Sequence, residues 1–296
     1  MSKMCWSFVV VAGLLVSALV GVSAEPRVGT ALTPGFEELW ATAPAGEEEE
    51  FGELPDPPPP APLEPLLVNG REVNRRFFPT LFRKTTGPLC TAALVGPSAL
   101  LTAAHCMLDG VHSRFRLGDT RIRGLCRHAP GYDGGANVSE DWALCLLELP
   151  VLDIVYERVG DAVPALGTAV TLTGYGCTVP NGPSDNILRI GLANLVSRPP
   201  TSGAPVEASS IYTKTNVAAG GVVLCDGDSG GPLFQIQGNS MTDARTLVGV
   251  NSRSNGGGGV SVFAAAGSQA GRQFFESWVR LHQQKVCGVN TSDNCR

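Results

Sequence analysis

The sequence predicts an all-β body followed by a single late helix, and three observations carry that prediction. Short apolar runs recur between clusters of Gly, Pro and Asn, helical periodicity is confined to the end of the chain, and the cysteines suit a disulfide-stapled secreted domain. The runs are Ala92 to Val95, Ala99 to Ala103, Trp142 to Leu147, Ala169 to Thr173, Val222 to Leu224, Leu247 to Val250 and Val260 to Ala264. Their length and spacing suggest strands of barrels or sandwiches. Near the end, Phe274, Trp278 and Leu281 fall at one-face spacing with Phe275, Val279 and His282 alongside, which predicts a helix. The Gly256 to Gly259 run reads as loop, because a phosphate cradle needs a following helix and strand-like residues follow instead.

Three regions differ in composition. Lys3 precedes an apolar run from Phe8 to Val22, and the small residues Val22-Ser23-Ala24 follow, the layout of a signal peptide over 1–24 cleaved after Ala24. That run is short for a membrane span, so the mature product is expected to be secreted and free of the membrane. Residues 25–66 hold Pro55, Pro57 to Pro60 and Glu47 to Glu50 with little to build a core, and are expected to be a disordered pro-segment or linker. That stretch carries ten acidic residues and one basic residue, Arg27, a formal charge of -9; removing it and Lys3 from the total of -5 leaves +3 for residues 67–296. A charge of that size gives no reason to expect nucleic acid as a partner. The remaining 230 residues are enough for a sizeable core in one all-β unit or two smaller ones.

Outside the leader, which holds Cys5, eight cysteines remain at 90, 106, 126, 145, 177, 225, 287 and 295. An even number in a secreted chain argues for disulfides. Metal binding by Cys126, His128 and Cys145 competes with that reading, but no C-x-x-C pair is present, so neither metal nor cofactor is expected.

Acyl transfer at a peptide bond needs an activated nucleophile, a base, a group that orients the base, and donors for the oxyanion. In Gly227-Asp228-Ser229-Gly230-Gly231-Pro232 a serine stands between glycines, where its hydroxyl is accessible and backbone N–H groups can point at developing charge. Ser229 is the candidate nucleophile, and the N–H groups of Gly227 and Ser229 are the candidate oxyanion hole, a feature worth on the order of 3–4 kcal/mol per donor. His105, in Leu101-Thr102-Ala103-Ala104-His105-Cys106, is the candidate base. Asp141, in Ser139-Glu140-Asp141-Trp142-Ala143-Leu144, begins an apolar strand and is the candidate orienting acid.

These three motifs, in this order, resemble those of the trypsin/chymotrypsin family over nearly all of residues 67–296. The resemblance implies two six-stranded antiparallel β-barrels with a C-terminal helix, the site in the cleft between them, protein or peptide substrates, and a monomer. Asn251-Ser252 matches the position of a serine that supports the buried aspartate and begins the substrate-pairing strand. Cys90 and Cys106 bracket the histidine loop as the family's first bridge does; Cys126 with Cys145 and Cys287 with Cys295 are natural local pairs. Cys177 and Cys225 remain, without the family's usual partners, and are expected to bridge each other.

The resemblance places Val223, six residues before the nucleophile, at the floor of the specificity pocket. A valine there cannot pair a cation, which predicts small or apolar residues on the acyl side of the scissile bond rather than Arg or Lys. Arg253 and Ser254, where the family usually has Trp and Gly, are expected to narrow the pocket or attract acidic side chains. Leu67-Val68-Asn69-Gly70 resembles the N-terminus that zymogen cleavage frees to pair with the aspartate before the nucleophile, here Asp228. It is preceded by Leu66 instead of a basic residue, so self-cleavage after Leu66 is expected. Two alternatives stand beside this reading. One is an α/β-hydrolase elbow using Asp243 and His282, opposed by Gly230, Gly231 and Pro232 where a helix must start. The other is a catalytically silent binding or inhibitor protein, although such proteins usually lose a triad residue or the oxyanion glycine. Asn137-Val138-Ser139 and Asn290-Thr291-Ser292 are glycosylation sequons.

Overall fold

The computed structural model describes residues 67–134, 138–179, 182–198, 209–238 and 240–296; the expected leader and acidic stretch, and Asn137 of the first sequon, lie outside them. The strands are β1 (Arg71–Glu72), β2 (Leu81–Lys84), β3 (Thr91–Gly96), β4 (Ala99–Thr102), β5 (His112–Leu117), β6 (Thr120–His128) and β7 (Ala143–Leu147), then β8 (Arg158–Val159), β9 (Ala169–Gly174), β10 (Arg189–Val196), β11 (Ser210–Lys214), β12 (Pro232–Ile236), β13 (Arg245–Asn255) and β14 (Val260–Ala265), followed by helix α1 (Gln269–His282). Strands β2-β3-β4-β7-β6-β5 close into one antiparallel barrel. A second ring runs β9-β10-β11-β14-β13-β12 and returns to β9, with β1 added on β10 and β8 lying parallel on β13.

Strands β3 and β4 are buried along their whole length, which is why they stand out in the sequence as continuous apolar runs. Strands β5 and β6 form a hairpin with one wet face. Ser113 and Phe115 point inward while His112 and Arg114 are exposed, so their apolar residues alternate and no run marks them. One expected strand is absent. Val222 to Leu224 is buried but irregular, because its amides are taken by other groups: Val223 N–H donates to the Val68 carbonyl at 3.2 Å and Leu224 N–H to the Ser261 hydroxyl at 3.0 Å.

Helix α1 begins at Ser268, whose hydroxyl accepts from Gly271 N–H at 3.1 Å. It buries Gly271, Phe274, Phe275, Trp278 and Val279, an i, i+3, i+4 stripe. Leu281 lies off that stripe and is 76% exposed, contrary to its expected place on the buried face. Phe274 and Phe275 pack on Trp142, with ring centroids 6.5 and 6.2 Å away, and the Trp142 indole N–H donates across to the Ala264 carbonyl of β14 at 3.2 Å.

Four disulfides join Cys90 to Cys106, Cys126 to Cys145, Cys177 to Cys225 and Cys287 to Cys295. Cys126 and Cys145 stand directly opposite each other on β6 and β7.

A buried ion pair ties β13 to Glu157, just before β8, and through Phe77 and Thr80 to the segment leading into the first barrel. Arg245 Nε donates to Glu157 Oε2 at 2.8 Å, a second bond joins Nη2 to Oε1, and Nη1 donates to the Phe77 carbonyl at 2.9 Å. The Thr80 hydroxyl also donates to Glu157, and the Phe78 and Phe234 rings face the guanidinium at 4.1 and 4.8 Å. Both charged side chains are fully buried, so removing one partner strands the other in a low-dielectric site. Glu157→Ala is expected to cost about 3–5 kcal/mol in urea unfolding, and Glu157→Ala with Arg245→Met is expected to recover part of that loss.

Candidate active site

The end of β4 turns sharply through Ala104–Cys106 and leaves His105 partly exposed. Asp141, one residue before buried Trp142 at the entry to β7, is only 1% exposed. Its carboxylate is held from three directions. Oδ1 accepts from His105 N–H at 2.9 Å, and Oδ2 accepts from His105 Nδ1 and from the Ser252 hydroxyl, each at 2.7 Å. An ionised carboxylate only accepts, so the His105 ring proton sits on Nδ1 and Nε2 is left with its lone pair.

Ser229 stands in the loop before β12. Gly227 and Gly230 flank this turn at φ 99 and 80, conformations in which a side chain is strained. The loop is clamped from both barrels. Buried Thr91 of β3 donates its hydroxyl to the Gly227 carbonyl at 2.9 Å and its amide to the Ser229 carbonyl at 2.8 Å. From β13, the Asn251 amide side chain donates to the carbonyls of Asp228 at 2.9 Å and Thr173 at 2.8 Å. Among the described residues, the N–H groups of Gly227 and Ser229 meet no protein acceptor, which leaves two adjacent donors for a ligand oxygen.

A groove of about 380 Å³ brings His105, Asp141 and Ser229 together with Ser252, Arg253 and Ser254. It also takes in Tyr132, Leu224 and exposed Asp226, which the sequence reading did not single out. Of these, Asp226 carried a signal, its place directly before Gly227-Asp228-Ser229-Gly230; Thr91 and Tyr132 act or lie near the site through long-range folding. Val223 is not a groove residue. It is completely buried against Val68, Cys177 and Cys225, turned inward by its amide bond to Val68, and its neighbour Leu224 lines the groove instead.

Among the described residues, one set of three side chains has metal-binding proximity, Cys90, His105 and Cys106, but both sulfurs are joined in a disulfide. The alternative set of Cys126, His128 and Cys145 likewise has its two sulfurs in a bridge.

Behind the candidate nucleophile lies Asp228, wholly buried. Its oxygens accept from Gly176 N–H at 2.9 Å and Cys225 N–H at 2.8 Å. Gly174 and Gly176 pack so closely on this carboxyl that a Cβ at either position would collide with it. The Cys177–Cys225 bridge staples the same two loops together. Burial pushes the Asp228 carboxyl up to about 7, against the lowering effect of the two N–H bonds and of the Arg189 charge. On the other side Leu67 and Val68 are buried, and the Asn69 side chain donates to the carbonyls of Val217 and Gly221 at 2.7 and 2.8 Å.

The profile of the Trypsin family matches residues 67–268. Kallikrein-12 of Homo sapiens is 34% identical over 197 residues, covering 57% of this chain and 75% of the relative. Brachyurin of Leptuca pugilator is 31% identical over 200 residues, covering 62% and 79%. A trypsin-like protease of Streptomyces glaucescens is 28% identical over 186 residues, covering 57% of this chain and 66% of its own length. A solved structure of neuropsin, a serine protease expressed in mouse brain, superposes with a TM-score of 0.58 at 22% identity, covering 72% of this chain and 98% of that one.

The buried Asp228 carboxyl sets a pH signature. Its proton is held more tightly in the folded chain than in the unfolded one, so stability falls as pH rises from about 4 to about 7 and levels off above that window. The melting temperature of the full chain carrying Ser229→Ala is expected to show this decline, and Asp228→Asn is expected to flatten it.

Proposed function

This chain belongs to the trypsin family of serine proteases, and from that membership we propose that it is a secreted serine endopeptidase acting through an acyl-enzyme. The observation that carries the reading is the Asp141 carboxylate, which binds both the backbone and the Nδ1 of His105 in the groove that also holds Ser229. His105 Nε2 takes the Ser229 proton as the hydroxyl attacks the scissile carbonyl. Asp141 holds the tautomer and stabilises the imidazolium that forms, and Ser252 keeps Asp141 in place. The N–H groups of Gly227 and Ser229 receive the developing oxyanion, and His105 then returns the proton to the leaving amine.

The preference for a small or apolar residue on the acyl side rests on Leu224 in the groove, with Val223 acting only as the packing behind it. Ser252, Arg253, Ser254 and Asp226 supply the polar surface around it.

Cleavage after Leu66 is the proposed activation step. Leu67 is held at φ 62, a conformation costly for a branched side chain by about 1–2 kcal/mol, and cutting the Leu66–Leu67 bond removes that torsion. The freed amine pairs with Asp228, whose buried carboxyl has no cationic side chain bonded to it among the described residues. The acidic stretch before Leu66 is then the pro-segment.

Two measurements test these assignments. A fluorophosphonate is expected to label the active form on Ser229, with labelling abolished by Ser229→Ala and kcat lowered about 10³–10⁴-fold by Asp141→Asn; labelling that persists in Ser229→Ala overturns the nucleophile. N-terminal sequencing of the active form is expected to begin at Leu67, and peptide-library cleavage to favour small or apolar residues. A product profile dominated by Arg or Lys overturns the specificity.

A further inference from the structure

The outer face of the β5–β6 hairpin holds four arginines whose charges the barrel does not need. The strand register sets Arg114 opposite Arg123 and Arg116 opposite Arg121, so two like-charged cross-strand pairs stand next to each other on one face. Like charges directly opposite on a sheet destabilise it. The compensation is partial. Arg123 faces Glu148 at 3.3 Å, Glu148 is shared with His112 at 3.4 Å, and Arg116 faces Asp119 at 3.6 Å. Among the described residues, the guanidinium groups of Arg114 and Arg121 have no ion-pair or hydrogen-bond partner. The four arginines border a groove of about 500 Å³, larger than the one at Ser229, whose rim also carries Leu149 at 77% exposure. Carboxylates bound there relieve the repulsion and pair bidentately with the guanidiniums, and Leu149 gives apolar side chains a place between them. The partner that this surface complements is a peptide of alternating acidic and apolar residues.

One loop joins this groove to the catalytic cleft. Thr85 and Thr86 form its wall, tied to β5 where Thr85 N–H donates to the Arg114 carbonyl at 2.8 Å and Arg114 N–H to the Thr86 hydroxyl at 3.3 Å. From Thr86 the chain needs four residues, a span of up to about 14 Å, to reach Cys90. On the way Leu89 packs on Gly227, where an added Cβ would meet its side chain at 2.9 Å. Cys90 is bridged to Cys106, whose sulfur lies 3.8 Å from His105 Nε2, the atom that protonates the leaving amine. We propose that the groove captures an acidic, apolar-interrupted segment of a protein substrate on the leaving-group side of the cut. A substrate that leaves the cleft along the Thr85–Cys90 loop reaches the arginines about five to eight residues beyond the scissile bond. That orientation rests on the peptidase role of His105 and Ser229; the charge complementarity of the groove does not. Contacts made equally before and after the transition state lower KM and leave kcat as it is.

The test has a binding arm and a cleavage arm. In the first, a short fluorescent peptide alternating Glu with Leu is titrated into the full chain carrying Ser229→Ala and followed by anisotropy. Arg114→Gln with Arg121→Gln is expected to weaken binding at least about tenfold, and Arg114→Lys with Arg121→Lys to restore part of it. Binding is also expected to fall steeply between about 0.05 and 0.5 M NaCl. The glutamine pair relieves repulsion, so its melting temperature is expected to match or exceed that of the parent. In the second arm the active form cuts two peptides with the same cleavage site, followed by a flexible spacer of about six residues and a tail of either Glu and Leu or Gln and Leu. The acidic tail is expected to lower KM at least about tenfold at equal kcat, and the glutamine pair to bring the two KM values together. Equal KM for the two tails, or the same gain from an acidic tail placed before the cut, overturns the proposal. So does a tail of Glu and Ser that binds as well as Glu and Leu, or a sulfated oligosaccharide that binds at least about tenfold more tightly, because the groove then takes polyanions or polysaccharide. Arginine-dependent binding with neither peptide cut supports the groove and overturns the peptidase reading, so the two fail separately.

Discussion

The candidate site depends on one buried carboxylate. Asp141 is almost fully removed from water, so its charge must be met by donors, and the three it finds come from two different barrels: the amide and ring of His105 from the first, the hydroxyl of Ser252 from the second. Meeting that requirement fixes more than a side chain. It holds the end of β4 against the start of β7 and both against β13, so the cleft geometry and the ring orientation of His105 follow from satisfying a single charge. Trp142, the next residue, extends the constraint by packing under α1 and bonding to β14. The late helix therefore bears on the site even though it contributes no groove residue.

The loop holding Ser229 obeys the same logic with backbone groups. A turn that keeps two N–H groups directed at a ligand cannot use them to hold itself together, so its stability must come from its carbonyls and from its neighbours. Thr91 and Asn251 supply that support from opposite barrels. Behind the loop, Asp228 is boxed in by Gly174, Gly176 and the Cys177–Cys225 bridge, which leaves its carboxyl short of charge compensation. A group in that position responds strongly to any cation brought beside it, and Leu67 and Val68 are themselves buried in the packing of the second barrel.

Legibility followed the number of faces an element buries. Strands enclosed on both sides, such as β3 and β4, appear as apolar runs, and the stripe of α1 appears at helical spacing. The β5–β6 hairpin is wet on one side and arginine-rich, so composition hid it. Val222 to Leu224 shows the opposite error, since burial there is real but the amides are spent on Val68 and Ser261 rather than on a strand partner. The same amide bond turned Val223 inward and left Leu224 as the groove residue, a swap between neighbours that no pattern of residue types signals.

What the sequence determined by itself was chemistry that is local in the chain: a serine among glycines, a histidine at a strand end, an aspartate at a strand start, and cysteines close enough to pair. Short motifs encode such features because the residue types needed lie within a few positions of one another. Tertiary structure alone decided which groups support them and which side chains face substrate. Ser252 is 111 residues from Asp141 and Thr91 is 136 from Gly227, and these pairs meet only because two barrels close and pack. Hydrogen bonds and burial act over ångströms whatever the separation along the chain, so the partners of a motif are set by the fold.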